Sequence, residues 1–327
     1  MMPLLEIKNL HLYYKVFQGK LKVLNGIDIV VNEGEKIGLV GEASCGKTTI
    51  MKSVLQILPT FVARISSGEI IYKGRDILKM RPSEIQSLRN GEITAIFQDP
   101  LESLNPVFTI GQQLCDVVRY SSRDREQNYL SKKEIISRSI ALLKKTDMPD
   151  AERILNNYPV QLSGGMRQRI CISEAISVTP NLLIADEPTT SLDVTIQDQI
   201  LRLLIKLVEK KNMSIILITH SLGIVRGLTD RTYVLYAGNT IEMARTKELF
   251  ANPLHPYTRG LINATPRLTG EGITKGIEGG IPDYLNPPAG CRFYPRCEYR
   301  MKICSREIPP MFTSGDNHKT ACFLYKE

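Results

Sequence analysis

The chain has 327 residues, of which 43% are hydrophobic, so it can form one large α/β domain with an appendix or two modest domains. This composition excludes a disordered or fibrous protein, and the apolar runs are far shorter than the ~20 residues of a bilayer-spanning helix, so we expect a soluble chain. The charge of +8 suits phosphates, nucleic acid or an anionic membrane, but the scattered aromatic residues lack the pattern of a single-strand binder, and no nucleic acid partner is expected.

Short apolar runs alternate with helical patterns over the first 240 residues, which is typical of an α/β domain with a largely parallel sheet. The predicted strands are Lys36–Val40, Ile93–Phe97, Leu182–Asp186, Ser214–Thr219 and Thr232–Tyr236. The predicted helices are Lys47–Leu58, Lys132–Lys145, Met166–Val178 and Thr195–Lys210. Strand patterns disappear between about residues 100 and 165, which predicts a helical subdomain inserted into the sheet domain.

The residue pattern changes near residue 251, because from there on prolines interrupt every helical or strand-like pattern. We therefore predict a main domain over residues 1–250 and a small, loop-rich C-terminal domain over 251–327. Four of the seven cysteines lie in the last 37 residues of the chain. Their clustering is a local signal of a metal, cluster or disulfide site.

Residues 41–48, GEASCGKT, fit the pattern G-x-x-x-x-G-K-[ST] between a predicted strand and a predicted helix. Glycines let such a loop wrap a phosphate chain, so that backbone N–H groups and the helix N-terminus point at the anion. We expect Lys47 to bridge the β and γ phosphates and Thr48 to give its hydroxyl to Mg²⁺. The alternative is a chance Gly-rich turn. The predicted nucleotide-binding residues here are Gly41, Glu42, Ala43, Ser44, Cys45, Gly46, Lys47, Thr48 and Thr49.

The predicted strand Leu182–Asp186 ends in two carboxylates, Asp186 and Glu187. An acidic strand end is commonly a turn or a helix cap. Together with the phosphate loop upstream, it predicts that Asp186 holds Mg²⁺ and that Glu187 polarises the water that attacks the γ phosphate.

Residues 162–168, LSGGMRQ, resemble the signature L-S-G-G-x-x-Q of the ABC ATPases. Ser163, Gly164 and Gly165 open a helix predicted to begin near Met166, and their exposed N–H groups form a second anion site. The alternative is a simple N-cap with a Gly-rich turn. The resemblance implies that these residues and Gln168 complete the ATP site of a second ATPase subunit, so that two ATP molecules are buried in a head-to-tail dimer.

Other markers of that family follow in the expected order. Gln98 matches the Gln that senses the γ phosphate and contacts Mg²⁺, and His220 matches the switch His that orients the attacking water. Asp193, after Ser191, matches the loop that crosses the dimer interface. For the aromatic residue that stacks on adenine we choose Tyr14, with Tyr13 as the fallback; both could instead serve strand packing.

The tail resembles the C-terminal region of oligopeptide and dipeptide importer ATPases, through residues 252–258 (NPLHPYT) and 287–297 (PPAGCRFYPRC). Ala43 departs from that branch, which usually has Ser there, but the position mainly offers its backbone. Cys291, Cys297, Cys304 and Cys322 supply four soft ligands, which suit zinc or an iron–sulfur cluster. The resemblance implies a [4Fe–4S] cluster. Zinc, disulfides or unliganded thiols remain alternatives, although a reducing cytosol disfavours disulfides.

The resemblance implies an ATPase that energises peptide uptake through an ABC importer, on the cytoplasmic face of the cell membrane. Its expected partners are a second ATPase subunit, two transmembrane permease subunits and, indirectly, an extracytoplasmic solute-binding protein. The alternatives are the same role for an oligosaccharide or nickel, a non-transport ABC ATPase, and a module that binds ATP without hydrolysing it.

Overall fold

The computed structural model describes residues 2–126, 130–190, 192–264, 276–315 and 317–326. The chain divides into two compact units. Unit 1 combines the residues up to Lys79 with those from Leu217 onward, and unit 2 extends from Met80 to Ile216. The domain limits expected from the sequence, at residue 250 and at about 100–165, stay predictions.

The strands of the described residues are β1 (Leu5–Val16), β2 (Gly19–Val31), β3 (Lys36–Val40), β4 (Ala63–Tyr72), β5 (Arg75–Asp76), β6 (Ile93–Ile96), β7 (Leu182–Asp186), β8 (Ser214–Ile218), β9 (Arg231–Tyr236), β10 (Asn239–Arg245), β11 (Phe312–Ser314) and β12 (His318–Thr320). The helices are α1 (Lys47–Val54), α2 (Pro82–Gly91), α3 (Pro100–Ser103), α4 (Ile110–Glu126), α5 (Lys132–Lys145), α6 (Ala151–Ile154), α7 (Gly164–Ala175), α8 (Val194–Lys210), α9 (Leu222–Leu228), α10 (Thr246–Ala251) and α11 (Pro256–Asn263).

Unit 1 contains two sets of paired strands. In the first set the order is β2-β1-β4-β5, and all pairs are antiparallel. In the second set β3 is parallel to β9, whereas β9, β10, β12 and β11 are antiparallel neighbours. The expectation of a largely parallel sheet was therefore wrong for most of this unit.

The antiparallel pairs depend on short turns between consecutive strands. Val16 pairs with Gly19, which leaves a two-residue hairpin between β1 and β2. Ala237 and Gly238, between β9 and β10, both have positive φ, at 44° and 78°. Such left-handed pairs match the twist of hairpin strands, and a Cβ on Gly238 would lie 2.0 Å from the carbonyl oxygen of Val23.

The core of unit 1 includes an aromatic cluster formed by Tyr236, Tyr257 and Phe293. The ring centroids of Tyr236 and Tyr257 are 4.7 Å apart, and those of Tyr236 and Phe293 are 5.1 Å apart. All three side chains are buried, and Cys291 and Cys297 pack against the same cluster. Apolar burial thus fixes the cysteine-bearing segment on the end of β9.

Unit 2 pairs β6 with β7 in parallel, from Ile93 opposite Leu182 to Ile96 opposite Ala185. Between β6 and β7 in the sequence lie the helices α3, α4, α5, α6 and α7, and the inserted helical subdomain stays a prediction. No helix of the described residues combines the length and apolar character needed to cross a membrane.

Several element limits match the sequence analysis: β3, β7 and α5 have the predicted ends. Helix α1 stops at Val54, short of the predicted Leu58, because Gln56 takes the left-handed conformation with φ of 53°. Helix α7 begins at Gly164, earlier than predicted, because Ser163 caps it.

Candidate active site

The phosphate loop of unit 1 occupies residues 41–46, between the end of β3 and the start of α1. Gly41 has φ of 155° and Gly46 has φ of 105°. A Cβ on Gly41 would lie 2.2 Å from the carbonyl oxygen of Leu235, and one on Gly46 would lie 2.7 Å from a methyl of Leu24. Only glycine fits at these positions, so the loop can curve tightly as an anion cradle requires.

Lys47 lies inside this loop at the first position of α1. Its side chain is buried, and Nζ donates to the carbonyl oxygens of Gly41 at 2.8 Å and Glu42 at 2.9 Å. Among the residues that the structure describes, no side chain caps the N-terminus of α1. A buried ammonium and the first-turn N–H groups therefore concentrate positive potential where phosphates would bind.

The C-terminal segment holds the other side of the phosphate loop. Arg296 donates to both carboxylate oxygens of Glu42, at 2.8 Å and 3.1 Å. The backbone N–H of Glu42 donates to Tyr257 Oη at 2.9 Å, and Tyr284 Oη donates to the carbonyl oxygen of Ser44 at 2.8 Å. These hydrogen bonds fix the loop conformation, including Ser44 in the left-handed region with φ of 61°.

In unit 2, Gln98 and Glu187 follow the parallel strands β6 and β7 and therefore lie at the same edge. Gln98 Nε2 donates to Glu187 Oε2 at 3.1 Å, and Thr190 Oγ1 donates to the same oxygen at 2.9 Å. Glu187 has φ of 46°, a strained conformation typical of functional sites. Asp186, the last residue of β7, is buried with only 2% of its surface exposed.

The signature residues open helix α7 in unit 2. Ser163 is the N-cap and its Oγ accepts from the N–H of Met166 at 3.3 Å. A Cβ on Gly165 would lie 2.8 Å from a methyl of Ile196 in α8, so glycine permits the close approach of these helix ends. The side-chain nitrogen Nε2 of buried Gln168 has no hydrogen-bond partner within the described residues.

Asp193 caps α8, since its Oδ1 accepts from the N–H of Ile196 at 3.1 Å. Ser191 lies outside the described residues. His220 is exposed between β8 and α9. Tyr14 is half-buried on β1, opposite Leu21 and Ala63, so the structure adds strand packing to its expected stacking role, which stays a prediction.

The four C-terminal cysteines line one apolar cavity of unit 1, together with Phe293, Phe323 and other side chains. Burial raises the pKa of Cys291 to about 11 and also raises the pKa values of Cys297 and Cys322, and charges of neighbouring cysteines act in the same direction. Thiolates of Cys291, Cys297 and Cys322 are therefore unfavourable in this cavity without a cation. Among the described residues no group of three or more His, Cys, Asp or Glu side chains is arranged to hold one metal ion.

Three side chains that support the site come from distant parts of the sequence and carry no local sequence signal. Tyr257, Tyr284 and Arg296 reach the phosphate loop over 215 to 254 residues of sequence. Arg296 lies beside Cys297 within residues 287–297, whose sequence gives no sign of a contact with the phosphate loop. Thr190, three residues after Glu187, has a local signal, because a hydroxyl at that spacing can bond the carboxylate.

Comparison with known proteins identifies the family. The family model for ABC transporters matches residues 24–190, and that for the oligopeptide/dipeptide transporter C-terminal region matches residues 241–304. The chain belongs to the ABC transporter family. It is 39% identical over 326 residues to the dipeptide transport ATP-binding protein DppD of Bacillus subtilis, covering 99% of this chain and 95% of DppD. It is 41% identical over 329 residues to the oligopeptide transport protein AppD of the same organism, covering 100% and 98%.

Solved ABC structures resemble this chain. A dimeric ATP-binding cassette, MJ0796 bound to ADP and phosphate, has a TM-score of 0.65 and 24% identity, covering 74% of this chain and 98% of the cassette. CbiO1 of Clostridium perfringens has a TM-score of 0.63 and 28% identity, covering 77% and 92%. The predicted ABC-type P-loop fold and ATPase class are thus confirmed, whereas the C-terminal cysteine domain stays a prediction.

Proposed function

We propose that this chain is the ATP-hydrolysing subunit that energises uptake of dipeptides or oligopeptides through an ABC importer. The observation that carries the proposal is the similarity at 39–41% identity, over nearly the full chain, to ATP-binding proteins of dipeptide and oligopeptide transport. The match of residues 241–304 to the C-terminal region of such transporters supports the same branch.

Within this proposal the phosphate loop binds the β and γ phosphates through Lys47 and the first-turn N–H groups of α1. Glu187 polarises the attacking water. Hydrogen bonds from Gln98 and Thr190 hold its carboxylate in position. His220 orients that water, and Tyr14 stacks on adenine. Thr48, Gln98 and Asp186 would hold Mg²⁺, which neutralises charge that develops on the phosphates.

We further propose a head-to-tail dimer in which Ser163, Gly164, Gly165, Gln168 and Asp193 contact the nucleotide of the second ATPase subunit. The solved cassette MJ0796 is dimeric, which supports dimer formation. The dimer would act on two permease subunits at the cytoplasmic face of the membrane, with an extracytoplasmic solute-binding protein delivering the peptide. ATP-driven closure then supplies the conformational work.

The variant Glu187→Gln tests the catalytic assignment, because it keeps the shape and the hydrogen-bond acceptor of residue 187 but loses the charge. We expect ATP binding to be retained and ATP turnover to fall by about 10²- to 10⁴-fold. Thr190→Val, which removes only one hydrogen bond to Glu187, is the matched control and should lose less than tenfold. Undiminished turnover in Glu187→Gln would contradict the proposed role.

Cys291, Cys297, Cys304 and Cys322 are proposed to hold a [4Fe–4S] cluster that cross-links the C-terminal segment. All four line one apolar cavity, and the chemistry of a four-thiolate donor set fits such a cluster. A single zinc ion needs its donors gathered at about 2.3 Å around one atom, whereas each thiolate of the cluster binds a different iron.

Metal analysis of protein purified without oxygen tests this part separately. We expect iron and sulfide near four per chain, and loss of iron in Cys297→Ser but not in Cys115→Ser, a cysteine outside the cavity. Zinc in place of iron, or no metal in freshly isolated protein, would refute the cluster while leaving the ATPase assignment intact.

A further inference from the structure

Residues 291–297 (CRFYPRC), here called the connector, lie between the phosphate loop and the cavity of the four C-terminal cysteines, here called the cysteine cavity. The connector begins at Cys291 and ends at Cys297, and both side chains line the cavity. The N–H of Tyr294 donates to the carbonyl oxygen of Cys291 at 3.0 Å, and the N–H of Cys297 donates to that of Tyr294 at 3.3 Å. Two consecutive turns closed in this way are stiff, so a shift of either cysteine moves the residues between them.

Arg296, the residue before Cys297, contacts the phosphate loop directly. Its two terminal nitrogens donate to the two carboxylate oxygens of Glu42, at 2.8 Å and 3.1 Å. The same guanidinium donates to the carbonyl oxygens of Ile277 and Glu278, both at 2.9 Å, which fixes its orientation. A bidentate contact depends on that orientation, so a displacement of Cys297 weakens the hold on Glu42.

Arg292, the residue after Cys291, reaches the phosphate loop through Tyr284. Its guanidinium lies over the Tyr284 ring, 5.7 Å from the ring centroid. Tyr284 Oη donates to the carbonyl oxygen of Ser44 at 2.8 Å, and the backbone oxygen of Tyr284 accepts from the N–H of Lys22 at 2.9 Å. Arg292 Nη1 donates to the carbonyl oxygen of the same Lys22 at 3.0 Å. Stacking and hydrogen bonds thus hold the Tyr284 hydroxyl against Ser44.

Phe293, in the middle of the connector, packs against Tyr257. Their ring centroids are 5.5 Å apart, the rings are inclined at 69°, and both side chains are buried. Tyr257 Oη accepts from the backbone N–H of Glu42 at 2.9 Å. Close-packed interiors transmit displacements between neighbouring side chains, so this contact is a third route from the connector to the phosphate loop.

We propose that the connector makes the ATP affinity of the phosphate loop depend on the state of the cysteine cavity. When the four thiols are bonded to one common group, both ends of the connector are fixed, and Glu42 and Ser44 are held in place for the phosphates. Loss of a cysteine, or a bulky substituent on one, releases an end of the connector, and ATP must then reorder the loop as it binds. The inference rests on the proposed binding of ATP at the phosphate loop, but not on which group bonds the thiols.

Equilibrium titration of the full chain with a fluorescent ATP analogue and Mg²⁺ tests the coupling. Cys297→Ser should raise the Kd of the analogue by about three- to tenfold. Cys115→Ser is the matched control, because Cys115 does not line the cavity, and it should leave the Kd unchanged. In an Arg296→Met background Cys297→Ser should add less than about twofold, because its effect passes through Arg296. Equal affinity of wild type and Cys297→Ser, or full additivity of the two changes, would overturn the proposal.

A second measurement uses the wild-type chain and so does not depend on how a variant folds. Because coupling between two sites is reciprocal, nucleotide at the phosphate loop must also hold the connector in place. A non-hydrolysable ATP analogue with Mg²⁺ should therefore slow the modification of Cys297 by N-ethylmaleimide, followed by peptide mass mapping, by at least about threefold. Modification of Cys115 should be unaffected, and Arg296→Met should abolish the protection of Cys297. A wild-type chain that does not bind the analogue would contradict the nucleotide site itself, whereas binding without protection of Cys297 would overturn the coupling alone.

Discussion

The ion pair between Glu42 and Arg296 predicts that the C-terminal segment sets the affinity for ATP. Glu42 belongs to the phosphate loop, and Arg296 lies 254 residues away, next to Cys297. The pair is bidentate, and its side chains are 27% and 5% exposed. We consider the change Arg296→Met, which keeps an apolar stem but removes the guanidinium.

The magnitude follows from the burial of the pair. Breaking a fully buried pair costs about 3–5 kcal/mol and an exposed pair less than about 1 kcal/mol, so this half-buried pair is worth about 2 kcal/mol. If ATP must reorder the released loop, its Kd rises by up to about 30-fold, since each 1.4 kcal/mol is a factor of ten.

The assay is equilibrium titration with a fluorescent ATP analogue, combined with thermal melting. Arg296 also donates to the carbonyl oxygens of Ile277 and Glu278, so Glu42→Gln serves as the control that preserves those bonds. The double variant should bind ATP better than Arg296→Met alone, because it leaves no orphaned carboxylate in the loop. A melting temperature that falls while ATP affinity stays within about twofold of wild type would refute the reasoning.

Two further predictions concern pH and backbone space. Burial raises the pKa of Glu174 from 4.5 to about 7. Ionisation of this carboxyl therefore lowers the free energy of unfolding, by an amount that is absent at low pH and grows as the pH rises through this range. Glu174→Gln should therefore raise the free energy of unfolding by up to about 3 kcal/mol at about pH 8, with a higher melting temperature, and should leave both unchanged at about pH 4.5. Equal effects at the two pH values would contradict this. Gly41→Ala places a Cβ 2.2 Å from the carbonyl oxygen of Leu235 and should abolish ATP binding measured by titration, whereas Gly74→Ala, with open space around it, should not. Normal ATP affinity in Gly41→Ala would contradict the loop geometry.

The local backbone geometry of the candidate site follows from short stretches of sequence. The phosphate loop, the ends of β6 and β7 and the cap of α7 are encoded within a few residues, so pattern and spacing were sufficient. The hydrogen bond between Gln98 and Glu187 follows from parallel neighbouring strands that end at the same edge. The predicted end of α1 was wrong because a single left-handed residue, Gln56, prevents the helix from continuing.

Long-range features could not be predicted from pattern alone. The antiparallel partners of β1 and the hairpin turn at Ala237 and Gly238 depend on positive φ angles and close backbone approach. The contact of Arg296 with Glu42 joins two segments, and no motif in either segment predicts that they meet. Tertiary packing around Tyr236 and Phe293 brings them together.

Peptide uptake by the reconstituted importer tests the central assignment most directly. The measurement is accumulation of a radiolabelled dipeptide in proteoliposomes that contain the permease subunits, this chain and its partner ATPase, with the solute-binding protein outside. We predict accumulation against a gradient only when ATP is present on the side of this chain, and its loss with Glu187→Gln. ATP hydrolysis without any dependence of peptide uptake on this chain would contradict the account.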